Sequence, residues 1–352
     1  MLKQEREVSK QAENEINWMR FEQYLRSNIQ GLEDQQMVVK QFTEGYSNLT
    51  FLLKIGDWEA VLRRPPFGEI PAKAHDVHRE FRLLEKINPV FSIAPKPYLY
   101  ADDQSIMDKH FYVMEKKTGV VLDDTIPDDY DRAPNTRIRI SESVVDTLVD
   151  LHNIDYKNIG LENMGKPDGY LERQVHNWIK RYRQFVVGEI EVYPKLEKWL
   201  LSNIPIPSSP TIVHNDFKIN NMMFSYDEPG EIIGLFDWEL CTIGDPLTDL
   251  GAAISYWKDE NDPFTAINSV TTLGGFISRK QFIERYARKS GRDLSNFNFY
   301  LVLAYFKTAV ILQQIYYRWK KGHVQDSRFE TLDLAIQNLM NAAYESIDSQ
   351  LV

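Results

Sequence analysis

The chain has 352 residues, 43% hydrophobic and 12% aromatic, with a formal net charge of −10. That length and apolar content provide a real core, in one large domain or two, and exclude a disordered or fibrous chain. The acidic balance argues against generic nucleic-acid binding, which needs a clustered basic surface, and a single cysteine, Cys241, excludes an intrachain disulfide or a cysteine-built zinc site.

Residues 1–15 are densely charged and carry no apolar run of the kind a signal peptide needs, so they read as a solvated helix face. Ile16, Trp18, Met19, Phe21, Tyr24, Leu25 and Ile29 then fall mostly on one side of an amphipathic helix packed on the body. From Met37 the texture turns β-rich, in runs at 37–42, 48–54 and 58–63, with Gly45, Gly56 and Asp57 in the turns, as antiparallel hairpins require. After Pro65 and Pro66, residues 72–87 predict a helix with Val77, Phe81, Leu84 and Ile87 mainly on one face. A proline-rich approach then leads to a short strand at 111–114.

Beyond Gly119 the pattern is helical. Val144, Val145, Leu148 and Leu151 share a face, and 169–187 and 297–321 predict further long helices. Clear β texture returns only at 211–213, 222–224 and 232–236. The most apolar run, Tyr300 to Tyr317, is interrupted by Lys307, Gln313 and Gln314, so it predicts no membrane span and the chain reads as cytoplasmic. Its aromatics, with Phe299 and Trp319, read as helix core. The expected organisation is a small β-rich lobe at 1–116 and a large helical lobe at 117–352.

The chemistry-bearing letters are HNDFKINNMMF, His214 to Phe224, and IIGLFDWE, Ile232 to Glu239. Asp216 and Asn221 lie five positions apart on a loop between short strands, and Asp237 closes the next strand, so two carboxylates and an amide can converge. Phosphoryl transfer uses that assortment: one carboxylate orients and deprotonates the attacking hydroxyl, while an Asn and an Asp hold magnesium, which prefers hard oxygen ligands. No G-x-x-x-x-G-K-[ST] motif occurs, which argues against a P-loop enzyme.

These residues resemble the kinase-like aminoglycoside phosphotransferase family, in the branch that also provides the kinase-like module of some acyl-CoA dehydrogenase fusion proteins. The loop H-x-D-x-x-x-x-N matches His214, Asp216 and Asn221, and FDWELCTIGDPLTDLG at 236–251 is similar to that branch. The likeness extends to EGYSN at 44–48, VLRRPP at 61–66, HREFRLL at 78–84 and FYVME at 111–115, in the right order along nearly the whole chain.

The resemblance implies an α+β, protein-kinase-like bilobal fold, with a small antiparallel-sheet N-lobe that binds nucleotide and a helical C-lobe. It implies transfer of the γ-phosphoryl of ATP, with Mg²⁺, to a hydroxyl of a small molecule, and leaves that acceptor open. Asp216 takes the place of the catalytic base, with Lys218 steadying the phosphoryl group, and Asn221 and Asp237 take the places of the metal ligands. Arg63 stands where the third strand grips the phosphates, with Arg64 as its rival, and Glu80 where the next helix supplies the ion-pair partner. Ser47 and Asn48 belong to the phosphate-covering loop, which has one glycine and does not match G-x-G-x-x-G. Met114, Glu115 and Lys116 form the hinge after Val113 that faces the adenine, and Asp249 holds the catalytic loop.

Against these roles stands the reading of Asp216, Asn221 and Asp237 as turn residues, which their joint spacing with Arg63 and Glu80 outweighs. His214 reads as a loop brace and Cys241 as a packed side chain. His75, His78, His110, His152, His176 and His323 show no metal spacing. Arg173 and Trp178 are acceptor-site candidates. The rival function is a non-catalytic nucleotide-binding protein of the same fold; a protein kinase is disfavoured because neither D-F-G nor A-P-E occurs.

Overall fold

A computed structural model describes residues 5–42, 48–68 and 76–349. The chain forms two compact units. The first comprises residues up to Val121 together with Met222–Tyr226 and Ile232–Glu239, whereas the sequence sets the division at 116/117.

The first unit begins with strand β1 (Glu5–Arg6) and helices α1 (Lys10–Glu15) and α2 (Trp18–Asn28). It continues with β2 (Val38–Phe42), β3 (Leu49–Ile55), β4 (Trp58–Arg64), α3 (Val77–Ile87), β5 (Pro97–Ala101) and β6 (Phe111–Glu115). The strands make one antiparallel sheet in the order β1-β2-β3-β4-β6-β5. Ile55 pairs with Trp58 across the two-residue turn Gly56-Asp57, where Gly56 at φ 57 takes the left-handed conformation that a tight hairpin needs.

The amphipathic stripe of α2 buries Phe21 and Leu25 against the sheet, and Met19 falls outside it at 73% exposure. Trp18 meets Phe21 and Phe51 edge-on, and Phe21 meets Phe111, so the aromatics interlock in the geometry their quadrupoles prefer. Strand β5 is absent from the sequence reading because it opens on a proline. As the edge strand of the sheet it tolerates one, since no neighbour needs that N–H. Strands β8 (Met222–Phe224) and β9 (Ile232–Leu235) pair with each other, and Phe224 bridges to Val120.

The second unit is helical: α4 (Thr136–His152), α5 (Tyr170–Gln184), α6 (Tyr193–Ser202), α7 (Leu247–Tyr256), α8 (Arg279–Ser290), α9 (Phe297–Lys320) and α10 (Leu332–Glu345). A short ladder of β7 (Thr211–Val213) with β10 (Thr242–Gly244) is set among them. Helix α9 is the hub, packed on α5, α6, α7 and α10. Among the described residues it alone is long and apolar enough to cross a membrane, yet 72% of its most apolar stretch is buried inside the protein. Its Phe299, Tyr300, Tyr305, Phe306 and Tyr316 are core residues, as expected, whereas Tyr317 and Trp319, also expected there, are only half-buried near the end of the helix. The crossing with α7 is tight: a Cβ on Gly251 would lie 2.6 Å from the Tyr300 carbonyl oxygen, so this position excludes any side chain without displacing backbone.

Candidate active site

The candidate residues fall into two groups, one in each unit. In the second, β7 is wholly buried and delivers the chain to His214, which is itself buried and meets Phe217 edge-on at 6.3 Å. The backbone N–H groups of His214 and Asn215 donate to the two carboxylate oxygens of Asp249 at 2.5 and 2.7 Å. Asp249 sits in the first turn of α7 and is also 3.5 Å from His152 Nε2, while His152 Nδ1 lies 2.8 Å from the Tyr286 hydroxyl. Burial pushes the Asp249 carboxyl up, but His152 and His214 outweigh it and hold it below its ordinary value. Burial lowers the His152 imidazole despite Asp249. Asp249 thus braces the loop backbone, in the manner expected.

Beyond this brace the buried side chains of Phe217 and Ile219 anchor the loop, and a single 3-10 turn, Ile219–Asn221, folds it back. Asn221 Nδ2 therefore donates to both the carbonyl and the Oδ2 of Asp216, each at 2.9 Å, and Lys218 Nζ lies 3.0 Å from the same Oδ2. Asp216, Lys218 and Asn221 are brought together. Lys218 also lies over the Tyr256 ring at 5.6 Å, and Asn220 and Asn268 both donate to Asp123 at 3.2 Å. The cavity lined by Asp123, Lys218, Asn220, Tyr256 and Asn268 has a volume of about 20 Å³, room for one water.

In the first unit, strand alternation sends Arg63 and Arg64 to opposite faces of β4. Arg63 reaches Glu80 at 3.2 Å, Asp237 at 3.1 Å and Glu239 at 3.3 Å. Arg64 is fully buried, pairs with Asp108 at 2.8 Å and stacks over Phe67 at 4.1 Å, so only Arg63 joins Glu80 and Asp237. Burial opposes the Arg63 charge, but the three carboxylates overcome it and raise the guanidinium above its ordinary value. Burial likewise raises Glu80, only partly offset by Arg63. Asp237, just after β9, stands at φ 67, a left-handed conformation that Asp adopts more readily than most residues with a side chain.

Sequence reasoning assigned no role to Glu239, whose carboxylate accepts from Asn48 Nδ2 at 3.1 Å while its carbonyl accepts from Arg79 at 3.2 Å. It ties the residue before β3 to β4 and α3; its position in D-W-E was the available signal. Ser47 lies outside the described residues. Met114 and Glu115 lie within β6, where the Glu115 N–H donates to the Lys96 carbonyl at 2.8 Å, so the strand runs two residues past Val113 and the connector begins at Lys116. Lys116 pairs with Glu59. Trp178 is buried on α5 with its Nε1 on Gln174, whereas Arg173 is turned to the carbonyls of Asp168 and Lys166.

The donor chemistry fits magnesium. Around Arg63 one guanidinium faces three carboxylates, an excess of negative charge that a divalent ion would offset. Asn221 commits its nitrogen to Asp216, which leaves its oxygen as the atom suited to a hard cation.

Comparison with known proteins follows this geometry. The model of the phosphotransferase enzyme family, APH, matches residues 38–288. Acyl-CoA dehydrogenase family member 11 of Homo sapiens is 34% identical over 311 residues, covering 86% of this chain and 39% of that protein, so the chain spans about two fifths of the length of such relatives. A crystal structure from Ralstonia eutropha, assigned as an aminoglycoside phosphotransferase, superposes with a TM-score of 0.79 at 27% identity, covering 94% of this chain and 99% of that one. The ternary complex of APH(2")-IIa with streptomycin and ATP shares the fold, with a TM-score of 0.55 at 14% identity, covering 84% and 89% of the two chains.

Proposed function

The chain belongs to the phosphotransferase enzyme family, and from that premise we propose that it transfers the γ-phosphoryl group of ATP, with Mg²⁺, to a hydroxyl of a small molecule. The observation that carries this reading is the Asp216 carboxylate held on one oxygen by Asn221 and Lys218, on a loop whose backbone is fixed by a buried Asp249. Asp216 orients the acceptor hydroxyl and takes its proton as the oxygen attacks phosphorus. Lys218 Nζ offsets negative charge that gathers on the transferred group. Asn221 and Asp237 are the residues that would offer oxygens to magnesium, which when bound would neutralise phosphate charge. Arg63, held by Glu80, meets the nucleotide phosphates as a planar fork rather than the point charge of a lysine. Catalysis on this account is positioning and charge neutralisation.

The alcohol is a small hydroxylated metabolite. A family name does not fix an acceptor, because fold and motif govern the phosphate side of the reaction. The test is a melting experiment followed by a screen. MgATP at about one hundred times its dissociation constant should stabilise the protein by roughly 2.7 kcal/mol, and EDTA should abolish the shift. Hydroxylated metabolites are then screened for acceptor-dependent ADP release. Stabilisation with no release from any alcohol would favour a nucleotide-binding protein without transferase activity; no stabilisation would contradict nucleotide use.

A further inference from the structure

Asn215 immediately precedes Asp216 and stands at φ 66, a left-handed conformation that Asn adopts more readily than other residues with a side chain. Its surroundings fix it in that conformation. Its N–H donates to Asp249 Oδ1 on α7 at 2.7 Å, and its carbonyl accepts from Lys307 Nζ on α9 at 3.0 Å. Its side-chain nitrogen donates to the Leu240 carbonyl at 3.0 Å, and its side-chain oxygen accepts from the Tyr170 hydroxyl on α5 at 3.1 Å. Each polar group of this one residue is thus bonded to a different segment of the same unit.

Lys307 is the costly member of the set. It interrupts a long, mostly buried apolar helix, and its ammonium lies 5.8 Å from the Trp178 ring. Burial lowers its pKa, so the fold tolerates the cation at some expense. The Tyr170 hydroxyl is kept protonated by burial and so remains a donor.

We propose that Asn215 is the positioning residue for Asp216, and that Lys307 and Tyr170 fix the peptide between Asn215 and Asp216 so that the carboxylate leaves the backbone in one direction. Lys307 touches no reacting atom on this account; it acts through the Asn215 carbonyl. The functional consequence rests on the reading of Asp216 as the base, whereas the positioning itself does not.

The experiment has two arms, both on the full chain. Hydrogen–deuterium exchange of residues 214–221 is compared in the wild type, Lys307→Met, Lys307→Arg, Asn215→Gly and Asn215→Ala. MgATP hydrolysis, with water as the acceptor, is followed in the same proteins. Lys307→Met should raise loop exchange about tenfold while α7 and α9 keep their protection, and Lys307→Arg should restore most of it. Hydrolysis in Lys307→Met should fall on the order of a hundredfold in kcat with KM for ATP unchanged, the loss expected when a base is misplaced by about 1 Å. Asn215→Gly, free to keep the left-handed backbone, should lose less than Asn215→Ala.

Unchanged loop exchange in Lys307→Met overturns the proposal, as does a rise shared equally by α9, which would make Lys307 a packing residue only. Equal losses in Asn215→Gly and Asn215→Ala overturn the part played by the backbone conformation. A wild type that hydrolyses no MgATP and binds none contradicts the proposed function instead, and the exchange arm still decides the positioning.

Discussion

Around Arg63, one guanidinium faces the carboxylates of Glu80, Asp237 and Glu239; around Asp216, one carboxylate faces an ammonium and an amide, on a backbone braced by Asp249. The first group sets three carboxylates against one guanidinium. The second is closed, since the Asn215 backbone and side chain are bonded throughout. The two differ in what holds them: the first gathers carboxylates around one guanidinium, whereas the second fixes one carboxylate through a hydrogen-bonded loop.

The contrast can be broken most forcefully at Arg63. Arg63→Met leaves Glu80 buried without its partner and should cost about 3–5 kcal/mol in chemical denaturation, while Arg63→Met with Glu80→Leu should recover most of the loss. If the single change proves neutral, the cluster is not the desolvated network described. Asp249→Asn is the matching change in the second unit. It keeps the shape but removes the charge that accepts the two loop N–H groups, and should cost about 1.5–3 kcal/mol. Loop exchange at 214–221 should rise with it.

Acidity should separate the two groups in sign. His152 has a lowered pKa in the fold, so unfolding takes up a proton and its contribution to stability falls as pH drops through the ordinary imidazole value near 6.5. Asp249, also lowered, loses its contribution only further down, as pH passes below the ordinary carboxylate range. Glu80 is raised, so its contribution is present below the ordinary carboxylate value and is lost as pH rises through its folded value. Melting temperatures from pH 7 to pH 5 should therefore fall less steeply in His152→Gln than in the wild type, the smallest of these effects. An unchanged slope would remove His152 from the account.

Much of this was legible in the sequence, for reasons that can be named. β2 to β4 show through their β-rich runs and the Gly56-Asp57 turn. The loop from His214 to Asn221 shows because the chemistry requires particular side chains at short range. Strand β5 was hidden by Pro97, which a single chain cannot distinguish from a loop proline until its edge position is known. Helix α8 does carry readable signals, a capping box from Ser278 to Gln281 and Gly291 at its end, but its polar composition obscures the apolar stripe. The conformation of Asn215 was out of reach, because the residues that hold it, Tyr170 and Lys307, are 45 and 92 positions away. Arg63 and Arg64 could not be told apart by letters, and strand alternation separated them once the register was known.

On the proposed function, Asp216 performs the proton transfer while other groups bind the nucleotide. The most direct measurement compares the wild type with Asp216→Asn for MgATP binding by melting and for acceptor-dependent ADP release. Binding should stay within a factor of about two while release falls by roughly 10²–10⁴, the contribution expected of a general base. Release unchanged in Asp216→Asn, with binding intact, would contradict it.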